Sequence, residues 1–273
     1  MTSRSSVLRG KVAIVTGATA GIGPPTCFRL ARLGAEVAVV GRDPERIGIA
    51  LSRLESETGR SAMGVVADVR RESEVEQMVE QVFRRFGRID VLVTSAGILR
   101  AREASTLQSL ARTSTSAWDE ILDTNLKGVF FCNRAVLPIM IRQRQGHIIN
   151  LSSTSGRKAY AFDAAYCASK FGVIGLTEAV AEEVRGFGVK VEVLLPGAVD
   201  TSMWEQNGPF SRPERALAPE RVADCIVALL SAPGDTCLSG VAIAPFGGPA
   251  AEGWRERRPK PQGVRNMENG VSR

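Results

Sequence analysis

The sequence predicts an α/β protein, a doubly wound, Rossmann-like parallel sheet of about seven strands in a single domain. Three observations lead there. Short β-branched runs alternate with longer stretches of helical period from one end of the chain to the other. The first such run, Lys11 to Thr16 (KVAIVT), passes at once into the glycine-rich GATAGIG and then into a helix-like stretch from Pro24 to Leu33. The run His147 to Leu151 (HIINL) is apolar without strict alternation, as a strand covered on both faces must be.

Composition narrows the function classes. At 273 residues and 44% hydrophobic, the chain can bury a substantial core. Residues 1–248 read as one domain and residues 249–273 as a basic tail, rich in Arg, Pro and Gly and expected to be disordered. The five cysteines are scattered with no CxxC, and there is one His, so neither a disulfide framework nor a metal site is expected. The N-terminus has no apolar signal core, and no run reaches the ~18 apolar residues of a spanning helix. The expectation is a soluble, cytoplasmic protein without a membrane partner. The formal charge is +6, and half of that excess sits in the tail, with six Lys or Arg against three Glu. No basic run is interleaved with aromatics, which make up 5% of the chain, so a nucleic-acid partner is not expected.

In chain order, Gly17, Gly21 and Gly23 form a GxxxGxG spacing between strand and helix. Glycines there permit a tight turn and close backbone approach to a pyrophosphate, with N–H groups at a helix start facing the anion. Pro24 and Pro25 are tolerated in a first helical turn. A second strand, Glu36 to Val40, ends in Gly41, Arg42 and Asp43 before Pro44. Asp43 is read as an N-cap with Pro at N1, which leaves Arg42 for a 2′-phosphate and favours NADP, with NAD possible. A third strand, Ser61 to Ala67, delivers Asp68 either to an adenine edge or to a loop cap. Val75, Met78, Val79, Val82, Phe83 and Phe86 keep a helical stripe that belongs to the core. Asp90 to Val93 is a fourth strand running into Thr94, Ser95, Ala96 and Gly97, small enough for a cofactor to lie across the strand ends. Residues 98–115 lack a period and read as a long connection. Ser116 to Asp119 is a possible capping box for a long helix carrying Asn125, whose buried amide must find a partner, and Pro138, which predicts a kink.

The stretch from His147 to Lys170 carries the chemistry. The strand ends in Ser152 and Ser153, and Asp163 is placed to cap a helix whose first turns present Tyr166 and Lys170, four residues apart and on one face. A nearby ammonium favours the phenolate, so the Tyr166 pKa is expected to fall below its usual ~10. The helix, to about Arg185, is apolar or small on nearly every side, which predicts the sheet on one side and a neighbouring subunit on the other, in a dimer or tetramer. Val189 to Leu195, closed by Pro196 and Gly197, is a sixth strand. Pro219 to Leu230 is a helix, and Val241 to Ala244 a last strand. Residues 201–217, with Met203, Trp204 and Phe210, are expected to be a lid over a hydrophobic substrate.

Taken together, these residues resemble the short-chain dehydrogenase/reductase family over roughly residues 10–248. TGATAGIG (16–23) matches its TGxxxGIG, and Thr94 to Gly97 stands where NNAG is usual. Asn125 and Ser153 match its Asn and Ser, Tyr166 and Lys170 its YxxxK, and Pro196 and Gly197 its PG. PFGG (245–248) departs from the usual DGG. The resemblance implies hydride transfer between NADP(H) and a carbonyl or secondary alcohol, with Asn125, Ser153, Tyr166 and Lys170 catalytic. Tyr166 would give the proton and Ser153 bind the carbonyl oxygen. Lys170 would hold the nicotinamide ribose, and Asn125 a water leading to solvent. It also implies cofactor contacts from Thr19, Ile22, Val69, Ala96, Val199 and Thr201 beside those already named. Among ketoreductases of this kind, Arg142, Arg144 and Arg185 would attract an acyl carrier protein. The rival readings are an NAD-dependent alcohol or steroid dehydrogenase, and a non-catalytic nucleotide sensor or scaffold that kept the fold.

Overall fold

In the computed structural model, which describes residues 7–101, 108–207 and 213–246, strands and helices alternate as the sequence predicts. The strands are β1 (Val12–Thr16), β2 (Glu36–Gly41), β3 (Met63–Val66), β4 (Val91–Thr94), β5 (Gly146–Leu151), β6 (Val189–Pro196) and β7 (Val241–Ile243). They form one sheet in the order β3-β2-β1-β4-β5-β6-β7, with every pairing parallel. The winding reverses between β1 and β4. A crevice opens at the carboxyl ends of the strands at such a switch, and open α/β sheets bind their ligands there.

Alternation along each strand feeds two helical layers. Val12 and Ile14 of β1 pack toward α3 (Glu72–Phe86), α5 (Gly128–Gln143) and α6 (Ala164–Val184). Ala13 and Val15 pack the other way, toward α1 (Gly23–Arg32), α2 (Pro44–Thr58) and α7 (Pro219–Leu230). Both faces of β1 are therefore dry, as a doubly wound sheet requires. At the sheet's centre the fully buried Asn150 accepts from Thr94 Oγ1 (2.8 Å) and Asn133 Nδ2 (2.9 Å). It donates to Asn133 Oδ1 and Thr177 Oγ1, both at 3.1 Å. The network ties β4, β5, α5 and α6 into one base, with every polar atom of that amide satisfied.

Local signals explain most boundaries. Asp43 Oδ1 accepts from the backbone N–H of Glu45 (2.9 Å) and Arg46 (3.3 Å), so it is the N-cap of α2 with Pro44 at N1. Pro24 and Pro25 sit in the first turn of α1, where their missing N–H groups leave no gap. Phe83 departs from expectation. It is 38% exposed, because the buried seam of α3 runs through Val75, Met78, Val79 and Val82 and leaves Phe83 on its flank.

Two expectations for the long helix are corrected. α4 (Thr115–Leu122) is capped by Ser114, whose Oγ accepts from Ala117 N at 3.0 Å, and not by Ser116. That register is the one that buries Ala117 and Ile121. The helix is also not continuous. Asp123–Lys127 form a π-turn between α4 and α5, and Asn125 sits inside it. α5 runs on through Pro138 to Gln143. Among the described residues no helix is long and apolar enough to cross a membrane.

Candidate active site

A cleft of about 680 Å³ crosses the carboxyl ends of the strands at the switch point. Of the residues singled out in the sequence, it is lined by Gly17, Thr19, Gly21, Ile22, Arg42, Asp68, Val69, Ser95, Ala96, Gly97, Ser153, Tyr166, Lys170, Pro196, Gly197, Val199 and Thr201. Gly23 and Asn125 do not line it. Gly23 lies beneath the turn, where a Cβ would come 2.2 Å from the Gly17 carbonyl oxygen. Asn125 is fully buried behind the wall.

Four segments converge at one end of the cleft. β5 delivers Ser153, whose Oγ accepts from Ser155 N at 3.1 Å and hydrogen-bonds the Tyr166 phenol. Tyr166 and Lys170 stand on the same face of α6, with Lys170 Nζ 5.8 Å from the phenol ring centre. Ser152 Oγ donates to the Lys170 carbonyl at 2.8 Å and locks α6 to the end of β5. The π-turn presents Asn125, whose Nδ2 donates to the Ile98 carbonyl (2.8 Å) and Ser169 Oγ (3.1 Å), while its Oδ1 accepts from Ile98 N (2.8 Å). A Cβ on Gly97 would lie 3.2 Å from Asn125 Oδ1 and 3.7 Å from Lys170 Nζ, so only a glycine leaves that space open.

The electrostatics reverse one expectation. Burial pushes the Tyr166 phenol up from its ordinary value to about 12, and the Ser153 hydrogen bond pulls only partly against it. Burial also pulls Lys170 down from 10.5 to about 8. Desolvation disfavours the charged form of both groups, and it outweighs the attraction that sequence spacing alone suggested. The phenol therefore keeps its proton at neutral pH. Lys170 makes its hydrogen bond to the Leu151 carbonyl (3.0 Å), which leaves two of its three N–H donors for the cleft.

The buried amide of Asn125 finds a backbone carbonyl as its partner. Both of its amide hydrogens are taken, so its side chain can offer a water nothing more than one acceptor lone pair. Its position anchors the Ile98 backbone and Ser169. Asp163 stands at the N-cap position of α6 but makes no cap hydrogen bond, and its carboxylate pairs with Arg100 instead. Asp68 accepts from the Arg70 backbone N (3.0 Å) and is clasped by the Arg70 guanidinium, so it acts as a loop cap while also lining the cleft. That pairing holds its carboxyl below the usual range, against burial.

The far end of the cleft carries Arg42 together with Arg46, which sequence reading did not single out. The Asp43 cap was its signal, since it fixes the first turn of α2 and sends residue 46 to the same side as residue 42. Arg100, Tyr160, Gln206, Glu214 and Arg215 also line the near end unannounced, and Asp163 joins them from the N-cap position. Of the segment 201–217, Ser202–Asn207 is a 3₁₀ turn in which Trp204 Nε1 donates to the Val199 carbonyl at 2.8 Å, and Val199 bridges Leu217. Phe210 lies outside the described residues, as does the tail 249–273.

The comparisons with known proteins decide the class. The family profile for short chain dehydrogenase matches residues 11–211. The chain belongs to the short-chain dehydrogenase family. It is therefore an NAD(P)-dependent dehydrogenase/reductase, and the reading as a non-catalytic sensor is set aside. Among this dehydrogenase's relatives, the 3-oxoacyl-[acyl-carrier-protein] reductase of Synechocystis sp. is 36% identical over 248 residues, covering 89% of this chain and 98% of that relative. The enzyme described in the same words from Thermotoga maritima is 36% identical over 233 residues, covering 82% and 92%. A metagenomic short-chain oxidoreductase solved in complex with NADP is 32% identical with a TM-score of 0.76, covering 88% of this chain and 99% of that one. Levodione reductase is 27% identical with a TM-score of 0.81, covering 87% and 97%.

The buried lysine gives this dehydrogenase a testable cost. In the unfolded chain Lys170 titrates near 10.5 and in the folded chain near 8, so the folded state binds fewer protons between those values. Its stability contribution is complete above 10.5 and is lost as pH falls through 8. Lys170→Met, of similar length and without charge, is expected to melt higher than the wild type below pH 8, with the advantage shrinking as pH rises toward 10.5. Thermal melts of both proteins at the two ends of that window check it. An advantage that grows with pH would contradict the desolvation argument.

Proposed function

We propose that the protein reduces a carbonyl group to a secondary alcohol at the expense of NADPH, with Tyr166 as the proton donor. One observation carries the reading: a phenol kept protonated by burial, hydrogen-bonded to the strand-end Ser153 and sharing a helix face with Lys170, at one end of a cleft whose other end is Arg42. The residues present fit a dinucleotide. The turn has no side chain at Gly17 and Gly21, the start of α1 faces the cleft, and Lys170 has donors unspent. When bound, NADPH supplies the hydride.

The chain's own residues do the rest. The backbone from Gly17 to Ile22 and the start of α1 hold the pyrophosphate, while Asp68 and Val69 border the adenine. Ser95, Ala96 and Gly97 form a low wall on one side, and Pro196, Gly197, Val199 and Thr201 line the other. Lys170 donates to ribose hydroxyls, and Ser153 fixes the carbonyl oxygen within reach of the phenol. Tyr166 then gives its proton to that oxygen. Asn125 holds the Ile98 backbone and Ser169 so that the wall beside Lys170 keeps its shape.

Arg42 and Arg46 at the far end, with Asp43 spent on its cap, support NADP over NAD. Losing one charge-assisted hydrogen bond of ~1.5–3 kcal/mol predicts that Arg42→Ala weakens NADPH binding about 10- to 150-fold and leaves NADH nearly unchanged. Fluorescence titration with both nucleotides measures this, and equal losses would remove Arg42 from the 2′-phosphate.

The substrate enters beside Met203 and Trp204, where the described parts of the proposed lid, Ser202–Asn207 and residues 213–217, border the cleft. Arg100, Asp163, Gln206, Glu214 and Arg215 share that lining, so the pocket is more polar than an aliphatic tunnel. The relatives make a 3-oxoacyl thioester the first substrate to try. Arg142, Arg144 and Arg185 lie before β5 and β6, at the amino edge of the sheet and opposite the cleft, which leaves a carrier protein without those contacts. Exposed Phe130 on α5 and Phe171 on α6 support self-association into a dimer or tetramer.

The test is a panel of 3-oxoacyl thioesters, cyclic diketones, simple ketones and secondary alcohols, assayed with NADPH and NADH in parallel. Faster consumption of NADPH with a carbonyl compound is the expected result. Turnover confined to alcohols with NAD would overturn the stated direction and cofactor.

A further inference from the structure

The wall beside Tyr166 holds an ion pair that the reaction proposed above does not consume. Arg100, in the segment after β4, has its side chain 8% exposed and donates to the carboxylate of Asp163, itself 15% exposed. Its Nη1 also donates to the Leu99 carbonyl at 3.2 Å. The backbone N–H groups of Leu99 and Arg100 both donate to Oε1 of Gln206, at 2.9 and 3.3 Å, so the Ser202–Asn207 turn braces the arginine from behind. Asp163 is the N-cap residue of α6, and Tyr166 follows in that helix's first turn.

Two ordinary sources of stability are given up here. An N-cap carboxylate normally accepts from the helix's own N–H groups, a gain of ~1 kcal/mol, and this one does not. A buried ion pair is weak evidence for stability, because desolvation offsets its attraction. Departures of this kind concentrate where function requires them, and this one sits at the start of the helix that carries the phenol.

We propose that Arg100 and Asp163 are a positioning pair for Tyr166: braced by Gln206, they fix the first turn of α6 against the segment after β4 and place one charge of each sign beside the phenol. The inference rests on Tyr166 being the proton donor. The groups that face the phenol are the Ser153 hydroxyl from the end of β5, Asp163, Cys167 and Lys170 from α6, and Arg100 from the segment after β4. Asp163 strengthens the phenol's hold on its proton and Arg100 weakens it. The intact pair offsets the two influences, and loss of either partner leaves the other unbalanced.

Opposite signs make the test specific. Asp163→Asn keeps the size and a favourable N-cap, Arg100→Gln keeps an amide donor, and the double variant removes both charges. In the pH profile of kcat/KM, the ionisation assigned to Tyr166 is expected to move down in Asp163→Asn and up in Arg100→Gln, with the double variant close to wild type. A purely structural role would lower activity in all three without opposed shifts, and that result, or shifts in the same direction, would overturn the proposal. A second readout needs no substrate. The chain has two tyrosines, so on a Tyr160→Phe background the tyrosinate absorbance titration reports Tyr166 alone. There Asp163→Asn must ionise at lower pH than its background even if no carbonyl substrate is found, which separates failure of the pair from failure of the proposed reaction. Should either single variant prove misfolded by thermal melt, the charge-keeping Asp163→Glu and Arg100→Lys take its place. They must retain the wild-type profile, and a displaced profile there counts against the pair.

Discussion

Tyr166→Phe is expected to lower kcat for carbonyl reduction by ~10²- to 10⁴-fold, the contribution of a positioned general acid, while the Kd for NADPH stays within a few-fold of wild type. The ring is buried and keeps its packing in the variant, so what is lost is one hydroxyl, its hydrogen bond to Ser153 and its proton. Since burial holds the phenol protonated to about 12, the acid form is the resident one at neutral pH. Reduction should therefore be nearly flat through neutral pH and fail only as the phenol ionises. Oxidation of the alcohol, which needs the phenolate, should rise with pH over the same range. Stopped-flow measurement of NADPH consumption, with nucleotide affinity measured separately, tests both statements. A variant reducing its substrate at near wild-type rate would take the proton from somewhere other than Tyr166.

The direction of the phenol's shift, up and not down, was the part of the site that sequence spacing misjudged. Tyr166 and Lys170 at i and i+4 do share a helix face, and the cap at Asp43, the helix Pro219–Leu230 and the strand-end serines stand where the pattern put them. Such features depend on a few neighbouring residues, and the sequence carries them locally. How much water reaches a side chain depends on everything packed above it. Spacing said that the ammonium would win, and burial reversed the result for the phenol while lowering Lys170 as well. The same distinction explains the other misses. Ser114 and Ser116 are both good caps, and which of them serves is decided by the burial of Ala117 and Ile121. The sequence says that the Asn125 amide needs a partner but not which one, and the π-turn aims it at Ile98, 27 residues away in sequence. Arg100 and Asp163 stand 63 apart, and nothing in either neighbourhood announces the other.

Gly23→Ala tests the nucleotide end of the cleft. The glycine never touches the cleft, yet a Cβ built on it would lie 2.2 Å from the Gly17 carbonyl oxygen and 2.6 Å from Ala18 Cα. Both contacts are backbone, so no side chain can swing aside to make room. Gly17 is itself fixed by a positive φ of 64° and by the close approach of Ala96. The turn must therefore open, carrying its N–H groups away from the anion. Overpacking of this kind costs ~1–3 kcal/mol, and if the strain is relieved at the turn, NADPH binding should weaken by about 5- to 150-fold. The control is Gly48→Ala, on the exposed face of α2 with nothing within 4 Å of its Cβ. There the methyl group should raise stability by ~0.4–1 kcal/mol and leave nucleotide binding untouched. Calorimetric titration with NADPH alongside thermal melts separates the two effects. If Gly23→Ala binds NADPH as the wild type does, the tight turn after β1 is not what holds the pyrophosphate.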